Sequence, residues 1–359
     1  MEVIMKKLTA FFGFVFLLLV LFGTISACRR DKVSGTKRAA FVFTDSAGRE
    51  VELPSPIRRI APCGSLAQMY LIPLAPDLLC AITSSYKGGE VEFLPSAPAS
   101  LPAIGQFYGQ ATFNPEEVAK INPDVIIDIG ETKNNIANDM DEISAMTGVP
   151  VIHINADLRS TPEAFRTLGR LLGREEKGEE LALFCEKILF RAERIMNQVG
   201  TGKKSVLYCM GSNGLNVLAR NSYHSEIIDW MTDNLAVVDN PSSRGSGNES
   251  NMEQLFLWNP EVIFFSPGSV YASVKNDPVW KEFRAIRGGT YYEVPQGPYN
   301  WLGTPPSVNR YLGILWMGAT LYPQYADYDL YAETREYYRL FYGYDLSRER
   351  FNSLIANSR

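Results

Sequence analysis

The stretch Asn114-Pro-Glu-Glu-Val-Ala-Lys-Ile-Asn-Pro-Asp-Val-Ile-Ile-Asp128 aligns without a gap on Asn251-Met-Glu-Gln-Leu-Phe-Leu-Trp-Asn-Pro-Glu-Val-Ile-Phe-Phe265. Six of the fifteen positions are identical, and Asp124 against Glu261 keeps the charge. In both copies a short helix has to stop at Asn-Pro, because proline has no N–H to continue the helical ladder. An apolar strand then begins two residues later. One helix-turn-strand unit occurs twice, which predicts two related lobes.

Outward from these copies, short apolar runs alternate with helical patterns. The runs Ile57–Pro62, Asp124–Ile129, Val149–Asn155, Ser205–Met210 and Glu261–Ser266 are each bounded by Gly, Pro, Asn or Asp. Such alternation predicts an α/β fold with mostly parallel, buried strands. Between the copies, Thr161–Val199 reads as helix, with Ser160 or Thr161 as cap, Pro162 in the first turn and Glu163 after it. Gly173 and Gly178 suggest a break or a kink. From Glu179 to Val199 apolar residues recur at spacings of three and four, which predicts an amphipathic helix roughly 30 Å long. The expected body is thus two Rossmann-like lobes joined by one long α-helix; the resemblance given below implies a ligand cleft between the lobes. Its divisions are 41–160 for the N-terminal lobe, 161–200 for the linking helix and 201–359 for the C-terminal lobe.

Composition narrows the class. The chain has 359 residues, 46% hydrophobic and 21% charged, with a formal charge of −5 and no long basic run. This excludes a mainly disordered chain and gives no footprint for nucleic acid. Two histidines, His153 and His224, and five widely spaced cysteines leave little material for a zinc site.

The N-terminus departs from these averages. After Lys6-Lys7, the run Leu8–Ala27 carries no charge, as in a secretory signal peptide, residues 1–27. It ends in Ile25-Ser26-Ala27-Cys28, which resembles a bacterial lipobox and implies that Cys28 becomes the acylated first residue. Loss of residues 1–27 removes two lysines and one glutamate, so the charge moves from −5 to −6 and the lipid, not a basic surface, holds the membrane. Residues 28–40 read as a polar tether. The expected location is outside the cytoplasm, lipid-anchored on the outer face of the cytoplasmic membrane or as a periplasmic lipoprotein. Disulfides are permitted there. The remaining cysteines form no staple framework; Cys185 and Cys209 read as buried thiols, and a Cys63–Cys80 bridge is left open.

Two related lobes around one long helix resemble the helical-backbone class, class III, of ABC-transporter substrate-binding proteins, which capture iron–siderophore, haem and cobalamin complexes. Further pieces fit in order: Phe43–Pro54 resembles the family's opening hairpin, Pro56–Ile60 its first lobe strand, and Trp280–Pro295 its late helix and strand. The tail from Pro305-Pro-Ser-Val-Asn-Arg310 through Leu315-Trp316 and Leu321-Tyr-Pro323 to Phe341–Leu346 is similar to that of iron-complex members. The resemblance implies a monomer with no permanent cofactor, carrying a metal chelate to an ABC permease dimer with its ATPase. It also implies that Glu116 and Glu253 dock onto permease arginines. An acid at equivalent points of two lobes suits arginine partners, though in a first helical turn it also complements the macrodipole.

In open α/β sheets ligands sit beyond the carboxyl ends of the strands. The loops there carry Tyr86, Tyr108, Tyr223, His224, Arg244, Tyr299 and Trp301, and the aromatics suit a large planar or apolar ligand. Tyr223 and His224 are the candidates for direct metal ligation, phenolate and imidazole both being suited to iron; a plain helix start is the competing reading of His224. Arg220 and Arg244 can pair with carboxylates or phosphates of a chelate, whereas Arg310, after two prolines at a helix start, reads equally as structural. Cys63 and Gln68 stand where many relatives have small hydroxyl and acidic residues. His153, inside an apolar run, reads as structural.

No GxSxG, P-loop or GxGxxG occurs, so an enzyme is not indicated. Two alternatives share the fold: the same role for molybdate or tungstate, to which the Pro305-Pro306-Ser-Val-Asn tail is also similar, and a surface carrier or sensor without a permease. Cys28→Ala should abolish incorporation of labelled palmitate and release the protein from membranes, which metabolic labelling and fractionation check.

Overall fold

In the computed structural model residues 39–359 are described, apart from Gln110 and Ser243. The signal peptide, Cys28 and nearly all of the tether lie outside the described residues. No helix among those described is long and apolar enough to cross a membrane.

The first elements, β1 (Ala39–Thr44) and β2 (Glu50–Ser55), form a two-stranded sheet. Their turn is held by Asp45, whose Oδ1 accepts the N–H groups of Ala47 and Arg49, with Gly48 at positive φ as the sequence predicts. The N-terminal sheet has the order β3 (Ile60–Pro62), β4 (Val125–Gly130), β5 (Val151–Asn155), all parallel. Every residue of β4 is buried, as expected of a parallel strand covered on both faces.

The C-terminal sheet centres on β6 (Ser205–Met210), with β10 (Val262–Phe265) and β11 (Tyr291–Glu293) in parallel on one side. On the other side β7 (Asn216–Val217) and β9 (Asn248–Glu249) add an antiparallel margin, and β8 (Asp233–Asn234) also pairs with β6.

The repeated units fold alike down to their caps. The helices Pro115–Ile121 and Met252–Trp258 begin at Asn114 and Asn251, whose side chains accept the N–H groups of Glu117 (3.1 Å) and Gln254 (2.9 Å). Each ends at an asparagine in the left-handed region, Asn122 (φ 51°) and Asn259 (φ 38°). The acid after each proline ties the unit to its lobe. Asp124 accepts the N–H groups of Arg58 and Arg59 ahead of β3, and Glu261 accepts that of Ser205 at the start of β6.

Number the helices in chain order: α1 is Ser65–Leu74, α2 Gly89–Phe93, α3 Ser96–Ala99, α4 Pro115–Ile121 and α5 Ile136–Thr147. Then come α6 (Thr161–Leu172), α7 (Glu175–Val199), α8 (Glu226–Met231), α9 (Met252–Trp258) and α10 (Arg284–Arg287). The last are α11 (Arg310–Leu321), α12 (Leu330–Tyr342) and α13 (Arg348–Leu354). The linking segment is a helical hairpin. α6 stops at Gly173, left-handed at φ 64°, whereas α7 runs unbroken through Gly178 for 25 residues, about 37 Å. The break thus falls at Gly173 alone, and Gly178 serves packing: a Cβ there would lie 2.6 Å from the Phe165 carbonyl and 3.1 Å from the Gly169 Cα.

The buried face of α7, including Leu181, Phe184, Cys185, Ile188 and Ile195, joins a core that contains Phe165 of α6, Tyr70 of the first lobe and Tyr208, Trp301 and Trp316 of the second. Smaller clusters cover the other face of each sheet. Gly178→Ala should lower stability to urea unfolding by about 1–3 kcal/mol through overpacking, although alanine is the better helix former by about 1 kcal/mol.

Candidate ligand cleft and interlobe seam

The carboxyl ends of β3, β4 and β5 lead into Cys63–Ser65, Gly130-Glu131 and Ala156–Leu158, which face the C-terminal segments Tyr223–Glu226 and Pro298–Arg310. Several hydrogen bonds cross between them. The Tyr223 hydroxyl donates to the Ala156 carbonyl (2.9 Å) and that of Tyr311 to the Leu158 carbonyl (2.8 Å). The Leu158 N–H in turn donates to the Glu226 carboxylate (3.3 Å). Glu226 is ion-paired with Arg310, whose guanidinium is 1% exposed and lies 5.1 Å from the centre of the Tyr223 ring. Nε and Nη2 of Arg310 are buried with no hydrogen-bond partner. Burial pushes the Glu226 carboxyl up, while Arg310 and the Leu158 N–H pull it down. Desolvation opposes the charge on Arg310, but the Glu226 carboxylate beside it offsets this and the guanidinium stays protonated. Tyr70 comes from α1 of the first lobe, and its hydroxyl lies 2.9 Å from that of Thr161 at the start of α6.

A second crossing lies at the far end of the seam. Glu92 on α2 accepts Nε and Nη2 of Arg350 on α13, both at 2.6 Å. Phe93 packs edge-on against Tyr338 (5.1 Å) and Tyr344 (4.9 Å). The chain leading into α2 carries Tyr86, and Tyr299 of the other lobe lies near enough for the Tyr86 phenol to act on it electrostatically. The hydroxyls of both are buried and have no partner. Burial first, then Tyr342, Glu90 and Tyr86, push the Tyr299 phenol well above its ordinary value, so it is held as a proton donor.

The remaining sequence-predicted positions fall apart from this pair. Tyr108 is half-buried within the first lobe; its hydroxyl donates to Asp139 (2.7 Å) and Lys133 Nζ lies 3.6 Å from its ring centre. Tyr223 is at the seam with its hydroxyl already committed. His224 is buried, with Nδ1 2.6 Å from the Gly303 carbonyl. The Tyr223 hydroxyl and His224 Nδ1 thus both meet backbone carbonyls, those of Ala156 and Gly303. Trp301 is a correction. It is fully buried in the shared core and has no surface to offer a ligand. Arg244 is exposed, and Arg220 is held by Asp233 and the Asn234 carbonyl.

His153 is structural as the sequence suggests, with Nδ1 2.8 Å from Asp128 and Nε2 3.1 Å from the Thr132 hydroxyl. Burial and Asp128 push the adjacent Cys63 thiol up. Gln68 is buried and accepts from the Thr83 N–H and hydroxyl. Cys63, Cys80, Cys185 and Cys209 are buried free thiols, so Cys63 and Cys80 are not bridged. No group of three His, Cys, Asp or Glu among the described residues is placed to hold a metal ion.

Two α/β lobes on a helical backbone, with unpaired donors between them, define a protein that binds a solute. A family model described as periplasmic binding protein matches residues 95–298, and the chain belongs to that family. An ABC transporter solute-binding protein from Sulfurospirillum deleyianum has 27% identity and a TM-score of 0.80, the match covering 88% of this chain and 99% of that one. A periplasmic solute-binding protein from Veillonella parvula follows at 24% identity and 0.73, covering 89% and 98%. The molybdate-binding protein MolA of Haemophilus influenzae, solved with molybdate, has 18% identity and 0.67, covering 86% and 99%. No curated protein sequence matches. The fold is thus that of the helical-backbone ABC solute-binding proteins, and the protein is an extracytoplasmic binding protein rather than an enzyme.

Arg310→Ala should cost about 3–5 kcal/mol by leaving the Glu226 charge unpaired, whereas Arg310→Met combined with Glu226→Gln should cost far less. Denaturant unfolding of the two variants checks this.

Proposed function

We propose that the protein is the solute-binding lipoprotein of an ABC importer, capturing a metal chelate and delivering it to the permease. The chelate is an iron complex, with siderophore or haem, or a corrinoid. The observation that carries this reading is the pair of unpartnered hydroxyls, Tyr86 on one lobe and Tyr299 on the other. A buried donor without an acceptor costs about 1–3 kcal/mol, and a ligand oxygen reaching both removes that penalty only when the lobes are bridged. The aromatic surroundings of the pair suit a bulky partner better than a small oxyanion. No group of three His, Cys, Asp or Glu stands together among the described residues, which supports a metal that arrives already held by its own chelator.

In this reading Cys28 carries the lipid, the chain acts as a monomer, and Glu116 and Glu253 meet arginines of the permease. Both acids are exposed in the first turns of the equivalent helices α4 and α9, which supports equivalent roles.

Titration with ferric siderophores, haem, cobalamin and molybdate, followed by aromatic fluorescence and visible absorption, tests the ligand. A chelate should saturate the protein without a new tyrosinate or imidazole charge-transfer band, and Tyr86→Phe and Tyr299→Phe should each weaken it about two- to tenfold. Saturation by molybdate alone, or affinity indifferent to both variants, overturns the reading.

A further inference from the structure

The two repeated helices are alike in caps and buried residue but not in what they show to solvent. On α4 the residues three and four positions after Glu116 are Ala119 and Lys120, both exposed, with Lys120 paired to Glu117 (3.4 Å). On α9 the same positions after Glu253 are Phe256 and Leu257, which are 38% and 79% exposed. Spacings of three and four place these side chains on one helical face with the acid. Phe256 is fixed there, its ring lying flat on Phe283 with centroids 4.3 Å apart and planes 3° from parallel.

Leucine exposed to this degree beside a rigid aromatic, on a short helix that also carries an unpaired acid, is the composition of an interface centre rather than of an ordinary surface. We infer that the C-terminal lobe is the principal docking prong: Phe256 and Leu257 seat in an apolar patch of the permease next to the arginine that receives Glu253. The N-terminal lobe makes the weaker, purely electrostatic contact through Glu116. The inference rests on the importer reading. Its occupant follows from continuity, because the apolar pair and the docking acid share one helical face, and from charge, because no cation on that face competes for Glu253. Docking is then asymmetric, and the rigid Phe256 ring loses little freedom on contact.

The test measures affinity of the ligand-free, full-length protein for its permease–ATPase complex in nanodiscs, so ligand identity does not enter. Leu257→Ser, at a position too exposed to disturb folding, should weaken binding about five- to tenfold with an unchanged melting temperature. Lys120→Ser should change it less than twofold. Equal effects of the two variants, or none from Leu257→Ser, overturn the proposal. So does sedimentation showing a wild-type dimer that Leu257→Ser dissolves while permease affinity stays intact, because the face would then belong to a second copy. Glu116→Gln/Glu253→Gln separates the premises. If the acid pair is silent while Leu257→Ser weakens binding, the acid-docking reading fails and the apolar prong stands; the reverse pattern sinks the prong alone.

Discussion

A buried ion pair of the C-terminal lobe, Arg310 with Glu226, stands where the two lobes are hydrogen-bonded to each other. Arg310 sits among phenols and the Glu226 carboxylate at the point where the end of β5 meets the start of α11. A charge removed from water is tolerated only where its surroundings are polar and correctly placed. The partners come from both lobes, with Tyr70 and the Leu158 backbone on one side and Tyr223, Glu226 and Tyr311 on the other. Sliding one lobe against the other would break the bonds of Tyr223, Tyr311 and Glu226 to the backbone of Ala156 and Leu158. The continuous apolar core beneath, threaded by α7, resists the same motion for a different reason, since opening it would expose packed surface. In the proposed reading, a cleft between lobes so joined is largely formed beforehand, and selectivity rests on what its walls present.

The repeated units were the most legible part of the sequence, because every device in them is local. An asparagine cap lies three residues from its N–H partner, and an Asn-Pro pair ends the helix by its own chemistry. The β1–β2 turn was legible on the same grounds. Gly178 was not: a glycine in a helical pattern reads equally as a break or as a close crossing, and only the position of Phe165 and Gly169 decides it. The two glycines, which together suggest a break or a kink in the sequence, are separate features: a break at Gly173 and a close crossing at Gly178.

The site was less legible than the fold. Tyr86 and Tyr299 could be named from their loops, but nothing local distinguished them from Trp301, which has the same kind of neighbourhood in sequence and lies in the core. Arg310 looked like an ordinary residue at a helix start. Its role depends on Tyr70, distant in sequence, and on Tyr223, and no spacing rule connects them. The Tyr223-His224 pair suggested metal ligation because adjacent ligating residues are a sequence-visible signal, while the Ala156 and Gly303 carbonyls that occupy them are not.

The clasp between Glu92 and Arg350 gives the end of the chain a part in the cleft. Arg350 and the rings of Tyr338 and Tyr344 lie within the last two helices or just between them, yet they hold α2, and with it the strand of chain that carries Tyr86. Glu92 and Arg350 are 258 residues apart in sequence, so this wall of the first lobe is completed only once the second lobe has folded against it.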